Sequence, residues 1–247
     1  AVVAVWWLVM SLPFMKQYRQ VHYVERKPHA MRESVGRIIE TLRCVRKQKK
    51  IFLFLIAFFF FIDGVYTIID MATAYGSALG LDSTGLLLAL LVTQFVAFPF
   101  SILFGRLAEK YDTGKLILTC IAAYTGITVF AVFMKAQWQF WVLAIFVGMF
   151  QGGIQALSRS YFAKIVPPER SGEYFGLMDI CGKGASFMGT TVVGLASQAF
   201  GSINIGISAI VFLFLAGALC FMKTEHSGSE SMKNQENVIM GQQMFHD

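Results

Sequence analysis

The sequence contains few charged side chains and almost no histidine. Only 15% of its 247 residues are Asp, Glu, Lys or Arg, whereas a soluble domain averages about 25%. The four histidines lie outside the apolar runs of the chain, and no HExxH or GxSxG motif is present. The sequence therefore offers no nucleophile–base pair for an enzyme and no cofactor motif, and we expect neither an enzymatic activity nor a cofactor.

Cysteines are also few and scattered. None belongs to a CxxC pair, and none has a histidine at the spacing of a metal site. Three fall in apolar runs and one in a basic segment, so we expect reduced thiols rather than disulfides, and no bound metal. The four are Cys44, Cys120, Cys181 and Cys220.

Apolar residues make up 56% of the chain, and the mean hydropathy is +0.59. The apolar runs reach the ~18–20 residues that a helix needs to cross a bilayer. Strands are excluded because the runs are long and do not alternate, and a lone strand cannot satisfy its backbone in lipid. The sequence therefore predicts an all-α membrane protein, a bundle of six transmembrane helices preceded by part of another. The predicted spans are 1–15 (partial), 51–78, 85–104, 115–134, 138–157, 174–199 and 203–222.

Connections that are rich in basic residues alternate with connections that are poor in them. Eleven of the 21 Lys and Arg residues lie between Lys16 and Lys50, and the next connection has none. This alternation is typical of cytoplasmic and external loops, and it argues against a nucleic-acid partner for the net charge of +6. The predicted organisation is the end of a truncated transmembrane helix (1–15), a cytoplasmic basic linker (16–50), a six-helix bundle (51–223) and a disordered cytoplasmic tail (224–247).

The basic linker contains an amphipathic segment. Apolar residues recur there at helical spacing between arginines and lysines. Such a helix either lies on an anionic membrane surface or packs on the cytoplasmic face of its own protein. The apolar positions are Val35, Ile38, Ile39, Leu42 and Val45.

Three ionisable residues fall inside the predicted spans: Asp63, Asp179 and Lys183. Each costs at least ~2.5–3.5 kcal/mol in hydrocarbon, so such residues usually face a cavity and mark a pathway. Asp179 and Lys183 are four residues apart and can pair on one helix face. Lys183 and Asp63 fall at similar depth, so a pair between two helices is also possible. These residues either hold helices together or handle substrate or protons.

Three glutamines in the spans are further candidates for a polar pathway. Gln151 and Gln155 share a helix face, and Gln94 lies in another span. Each either lines a cavity or forms hydrogen bonds between helices.

Two cytoplasmic connections carry charged patterns suited to gating. Residues 105–110 (GRLAEK) combine Gly105 with Glu109 and Lys110, which can pair with a neighbouring helix end in one state and release it in another. Residues 167–173 (PPERSGE) contain Arg170 and Glu173, and the helix dipole favours an acid at that helix start. Arg159 is the other basic residue that we assign to these gating connections.

These patterns resemble the major facilitator superfamily. Residues 105–110 resemble its loop signature, and residues 168–176 resemble the proline–arginine–glycine pattern one hairpin later. The segments 63–68 (DGVYTI), 94–99 (QFVAFP) and 151–160 (QGGIQALSRS) are similar to its vacuole-effluxer-like branch. So are residues 167–183, the pair WW at 6–7 and the tripeptide SLP at 11–13. Two positions depart from that pattern: Asp112 stands where a glycine is usual, and Asp179 stands where an asparagine is expected.

The resemblance implies a twelve-helix transporter of which this chain holds helices seven to twelve. An amino-terminal six-helix half would supply the other wall of the cavity. Expected partners are the lipid bilayer, a small solute such as an amino acid, and protons. The expected location is a prokaryotic cell membrane or a vacuolar membrane. The alternative function is a membrane scaffold or receptor that does not transport.

Overall fold

The computed structural model describes residues 2–18 and 30–243, with side chains described for residues 2–18, 36 and 38–226. Within this part every long regular element is an α-helix. A short 3-10 turn, Pro168–Arg170, precedes the seventh helix. The helices are α1 (Val2–Gln17), α2 (Ala30–Lys47), α3 (Lys49–Ala78), α4 (Ser83–Lys110), α5 (Thr113–Val132), α6 (Gln137–Ile165), α7 (Ser171–Phe200) and α8 (Ile203–Gln243).

The chain divides into two compact units. The first, Ala1–Arg37, contains α1 and the beginning of α2, and α1 has no buried side chain. The second, Ile38–Asp247, contains the rest of α2 and the six long helices α3–α8.

The six long helices pack around a core of aromatic side chains. Helix α3 lies against α7 and α8, α4 lies along α6, and α5 joins α6 to α8. Phe54 of α3 stacks on Tyr161 and Phe162 of α6 and also contacts Phe221 of α8 edge-on. Helix packing in lipid depends on such close van der Waals contact, because the lipid tails are themselves apolar.

Two glycines allow α4 and α6 to approach closely. Gly148 and Gly152 are four residues apart on α6 and face α4. A Cβ at Gly148 would lie 2.6 Å from the carbonyl oxygen of Thr93, and one at Gly152 would lie 3.1 Å from that of Ala97. Any larger residue would therefore separate these two helices, as expected for a small-residue helix interface.

Among the described residues, five helices are long and apolar enough to cross a membrane: α3, α4, α5, α6 and the Ile203–His226 part of α8. Helix α7 has the length but not the apolarity, because it carries Glu173, Asp179 and Lys183 among many small residues. The predicted all-α membrane bundle is confirmed.

Several helices extend beyond the predicted spans, which corrects three assignments. Residues 105–110 form the last turns of α4 rather than a loop, because nothing between Phe104 and Lys110 breaks the helix. Arg159 likewise lies inside α6 rather than in a connection. Helix α8 runs to Gln243, through the segment that the sequence predicted to be disordered; that segment contains no proline.

Candidate functional site

A small polar pocket lies between α3, α6 and α7. Its volume is about 100 Å³, and its polar lining comes from α6 and α7, while α3 contributes mainly apolar side chains. The pocket brings together Gln155, Asp179 and Lys183, three of the residues that the sequence analysis assigned to a polar pathway. Its lining consists of Phe58, Ile62, Tyr66, Gln155, Arg159, Met178, Asp179, Gly182 and Lys183.

The acid in this pocket is paired with an arginine from another helix. Arg159 Nη2 of α6 donates to Asp179 Oδ1 of α7 at 2.9 Å. The sequence offered Lys183 as the partner, because it follows Asp179 by one helical turn, but the bidentate-capable guanidinium reaches the carboxylate across the pocket. The Asp179–Lys183 pair that the spacing permits is therefore not formed, and Arg159 lies in α6 and lines the pocket.

Lys183 lines the same pocket and is exposed. It forms no ion pair with any residue whose side chain the structure describes. The pocket therefore holds two basic groups and one acidic group. The resulting excess of one positive charge attracts a negatively charged group.

Asp63 lies outside the pocket and is completely buried. Its Oδ1 accepts a hydrogen bond from the backbone N–H of Gly189 at 2.8 Å and from the Thr67 hydroxyl at 3.4 Å. Its Oδ2 has no hydrogen-bond partner. The Asp63–Lys183 pair considered from the sequence is not formed, because Asp63 faces the small residues of α7 instead.

The three glutamines fall in different surroundings. Gln155 lines the pocket. Gln151, one turn earlier on α6, has a buried side-chain oxygen without a hydrogen-bond partner. Gln94 is exposed on α4 and does not belong to the pocket lining. The structure thus places one of the three predicted glutamines, Gln155, beside Arg159, Asp179 and Lys183.

At the end of α4, Gly105, Glu109 and Lys110 are all exposed. Glu109 forms no ion pair within the described side chains. The neighbouring Asp112 caps α5, since its Oδ1 accepts from Gly114 N at 2.7 Å and Lys115 N at 3.2 Å. Helix capping explains the acid at this position.

Arg170 and Glu173 form an ion pair that reaches the linker helix. Their Nη2 and Oε2 atoms are 2.7 Å apart, and the Thr41 hydroxyl of α2 donates to the same Oε2 at 2.9 Å. Hydrogen bonding to Glu173 raises the pKa of Arg170. We refer to Thr41, Arg170 and Glu173 as the linker clasp.

The linker clasp attaches one face of the amphipathic helix α2 to the bundle. Thr41 and Val45 are buried against the bundle, whereas Ile38, Ile39 and Leu42 are 43–45% exposed. The helix therefore packs on its own protein with one face and leaves an apolar face uncovered. Sequence reasoning missed Thr41, although its position between apolar residues of an amphipathic helix was the available signal.

Comparison with known proteins identifies the family. A family model described as "Vacuole effluxer Atg22 like" matches residues 1–232. The chain belongs to this Atg22-like family. The resemblance predicted from the motifs is thereby confirmed, and a family of effluxers agrees with the prediction that the chain is not an enzyme.

Named relatives of this Atg22-like chain come from bacteria and fungi. It is 41% identical over 238 residues to "Uncharacterized MFS-type transporter YxiO" of Bacillus subtilis, a match covering 96% of this chain and 56% of the relative. It is 24% identical over 220 residues to "Autophagy-related protein 22-2" of Aspergillus niger, covering 82% and 37%. It is 27% identical over 199 residues to "Autophagy-related protein 22" of Cryptococcus neoformans, covering 74% and 35%. The chain thus spans about half of the bacterial relative and about a third of the fungal ones.

Proposed function

We propose that this chain is the carboxyl-terminal half of a secondary active transporter of the major facilitator type, which moves a small solute by alternating access. The family description and the name of the Bacillus relative support this proposal. The observation that carries it is the group of Arg159, Asp179 and Lys183 around one pocket in a membrane bundle. Ionisable side chains are expensive in hydrocarbon and are found where they face a wet path.

The solute that we propose is an amino acid or a similar small molecule. Lys183 offers an ammonium group that no described side chain neutralises, which suits a carboxylate. The Asp179 carboxylate is paired with Arg159 through Oδ1, and its second oxygen suits an amino group. Gln155 adds an uncharged amide to the same lining. The pocket thus has complementary groups for both ends of a zwitterion.

The remaining candidate residues have secondary roles in this proposal. Asp63 is the candidate for proton handling, because one oxygen of its buried carboxyl group has no partner. Gln94 and Gln151 belong to the same proposed pathway at positions away from the charged pocket. The gating residues are Gly105, Glu109 and Lys110 at the end of α4, and Arg170 and Glu173 at the start of α7.

An amino-terminal six-helix half is the proposed partner. Alternating access requires two bundles that move about a shared site, and the relatives are longer than this chain. We further propose that the transporter lies in a bacterial cell membrane, in line with the Bacillus relative. A vacuolar membrane is the alternative that the family description offers.

Countertransport in proteoliposomes tests the proposal. The complete protein would be reconstituted, and uptake of radiolabelled amino acids would be compared between vesicles preloaded with unlabelled amino acids and empty vesicles. An alternating-access carrier should show faster uptake into the preloaded vesicles. Unstimulated uptake by folded protein would reject amino-acid exchange and favour the scaffold or receptor.

A further inference from the structure

A large apolar groove lies beside the linker helix. Its volume is about 550 Å³, within the range of small-molecule sites. The last turns of α2, the beginning of α3 and the beginning of α7 form it. Apolar side chains such as Phe52, Ile56, Phe59 and Leu177 dominate the lining, and Arg46 is the one charged residue among the lining residues that the structure describes.

One basic side chain lies at the mouth of this groove, and further basic residues follow it in the sequence. Arg46 is exposed as well as lining the groove, so it lies at the open edge. Residues 43–50 (RCVRKQKK) contain five basic residues and no acid. In the described part of the chain none of the five forms an ion pair. The groove therefore combines an apolar interior with an arginine at its entrance that no described acidic side chain pairs with.

The linker clasp holds one wall of the groove in place. Thr41 is bonded to Glu173 at the start of α7, and this bond fixes the helix that presents Leu42 and Arg46. The exposed Ile38, Ile39 and Leu42 continue the apolar surface along α2. An uncovered apolar face beside basic residues is typical of helices at the headgroup boundary of a membrane.

We propose that this groove binds an anionic phospholipid, with an acyl chain against the apolar lining and the phosphate beside Arg46. Basic pockets between helices on the cytoplasmic side are suited to acidic headgroups. A polar solute would leave the apolar lining unmatched, and an uncharged apolar molecule would leave the basic entrance unmatched. The site lies apart from the charged pocket and does not depend on the proposed transport activity.

The chain supplies an internal control. A second apolar groove of about 370 Å³ lies between α5 and α6, and no charged residue lines it. Phe130 and Phe146 belong to its lining. This groove should accept acyl chains without regard to headgroup charge.

Photolabelling of the complete protein in nanodiscs tests the proposal. The probes are phosphatidylglycerol and phosphatidylcholine that carry the same diazirine acyl chain. We expect phosphatidylglycerol to label residues 52–60 and 177–181 more strongly than phosphatidylcholine does, and the two probes to label the second groove equally. Arg46→Gln should reduce phosphatidylglycerol labelling of the first groove about fivefold, the factor that corresponds to about 1 kcal/mol per basic residue.

Arg106→Gln, at an exposed arginine of α4, is the matched control and should leave the labelling unchanged. Equal labelling of the first groove by the two probes would overturn the proposal in favour of unselective boundary lipid. Absence of labelling there by either probe would overturn it in favour of a groove covered by protein.

Discussion

Arg159 and Asp179 connect α6 to α7 through an ion pair of 2.9 Å across a polar pocket. Both helices also pack against α3, so the pair joins the two walls of one site. Because Asp179 pairs with Arg159, Lys183 has no ionic partner among the described side chains. The charged groups of the site are therefore the neutralised Arg159–Asp179 pair and the Lys183 ammonium group, whose charge no described side chain neutralises.

Exchanging the two charges of the pair should separate binding from stability. The side chains of Arg159 and Asp179 are 59% and 49% exposed, and exposed pairs contribute only ~0–1 kcal/mol to stability. Arg159→Asp combined with Asp179→Arg should therefore keep the thermal unfolding midpoint. The exchange reverses the positions of the two charges, so hydrogen bonds from these groups to the solute would be lost. Because a hydrogen bond to a charged group contributes ~1.5–3 kcal/mol, flux should fall about tenfold or more. Wild-type flux in the exchanged variant would show that the pair only joins helices.

Gly189→Ala should destabilise the contact between α3 and α7. A Cβ at this position would overlap Asp63 Oδ1 and Thr67 Oγ1, and overpacking of this kind typically costs about 1–3 kcal/mol. The matched control is Gly184→Ala on the same helix, where no atom lies within 4 Å. We expect a lower unfolding midpoint in detergent for the first variant alone. Equal midpoints would contradict the close approach at Gly189.

The sequence predicted the helices well because each one contains a continuous apolar run that can be recognised without knowledge of tertiary contacts. It also predicted a span at residues 174–199 from an apolar run, but α7 is too polar to qualify by hydropathy alone. The partner of Asp179 was not predictable, because Arg159 lies 20 residues away on another helix. The sequence analysis placed residues 105–110 in a connection, whereas α4 continues through them, because one glycine is tolerated in a helix at a cost of about 1 kcal/mol.

Thr41→Val should loosen the linker helix. The substitution keeps the shape of the buried side chain but removes the hydrogen bond to Glu173, and one such bond contributes about 1 kcal/mol. Amide hydrogen exchange across residues 38–47 should rise about fivefold. Thr119→Val is the control, because the Thr119 hydroxyl bonds only to Lys115 O of its own helix. Unchanged exchange in Thr41→Val would show that the clasp does not hold α2.

Single-cysteine labelling should establish the orientation of the bundle. In a background without the four native cysteines, an impermeant maleimide added to intact cells should modify cysteines at Gln137 and Ser202. Cysteines at Lys115 and Ser171 should react only after permeabilisation, because basic residues favour cytoplasmic connections. Reaction of positions 115 and 137 from the same side would contradict six spans, since α5 lies between them.

Flux through the complete protein with Lys183→Met is the most direct test of the pocket as a solute path. Lys115→Met is the matched control, since both lysines are exposed and Lys115 is remote from the pocket lining. We predict that Lys183→Met abolishes amino-acid countertransport at unchanged expression and unfolding midpoint, while Lys115→Met transports as the wild type does. Near wild-type countertransport in Lys183→Met would contradict the account.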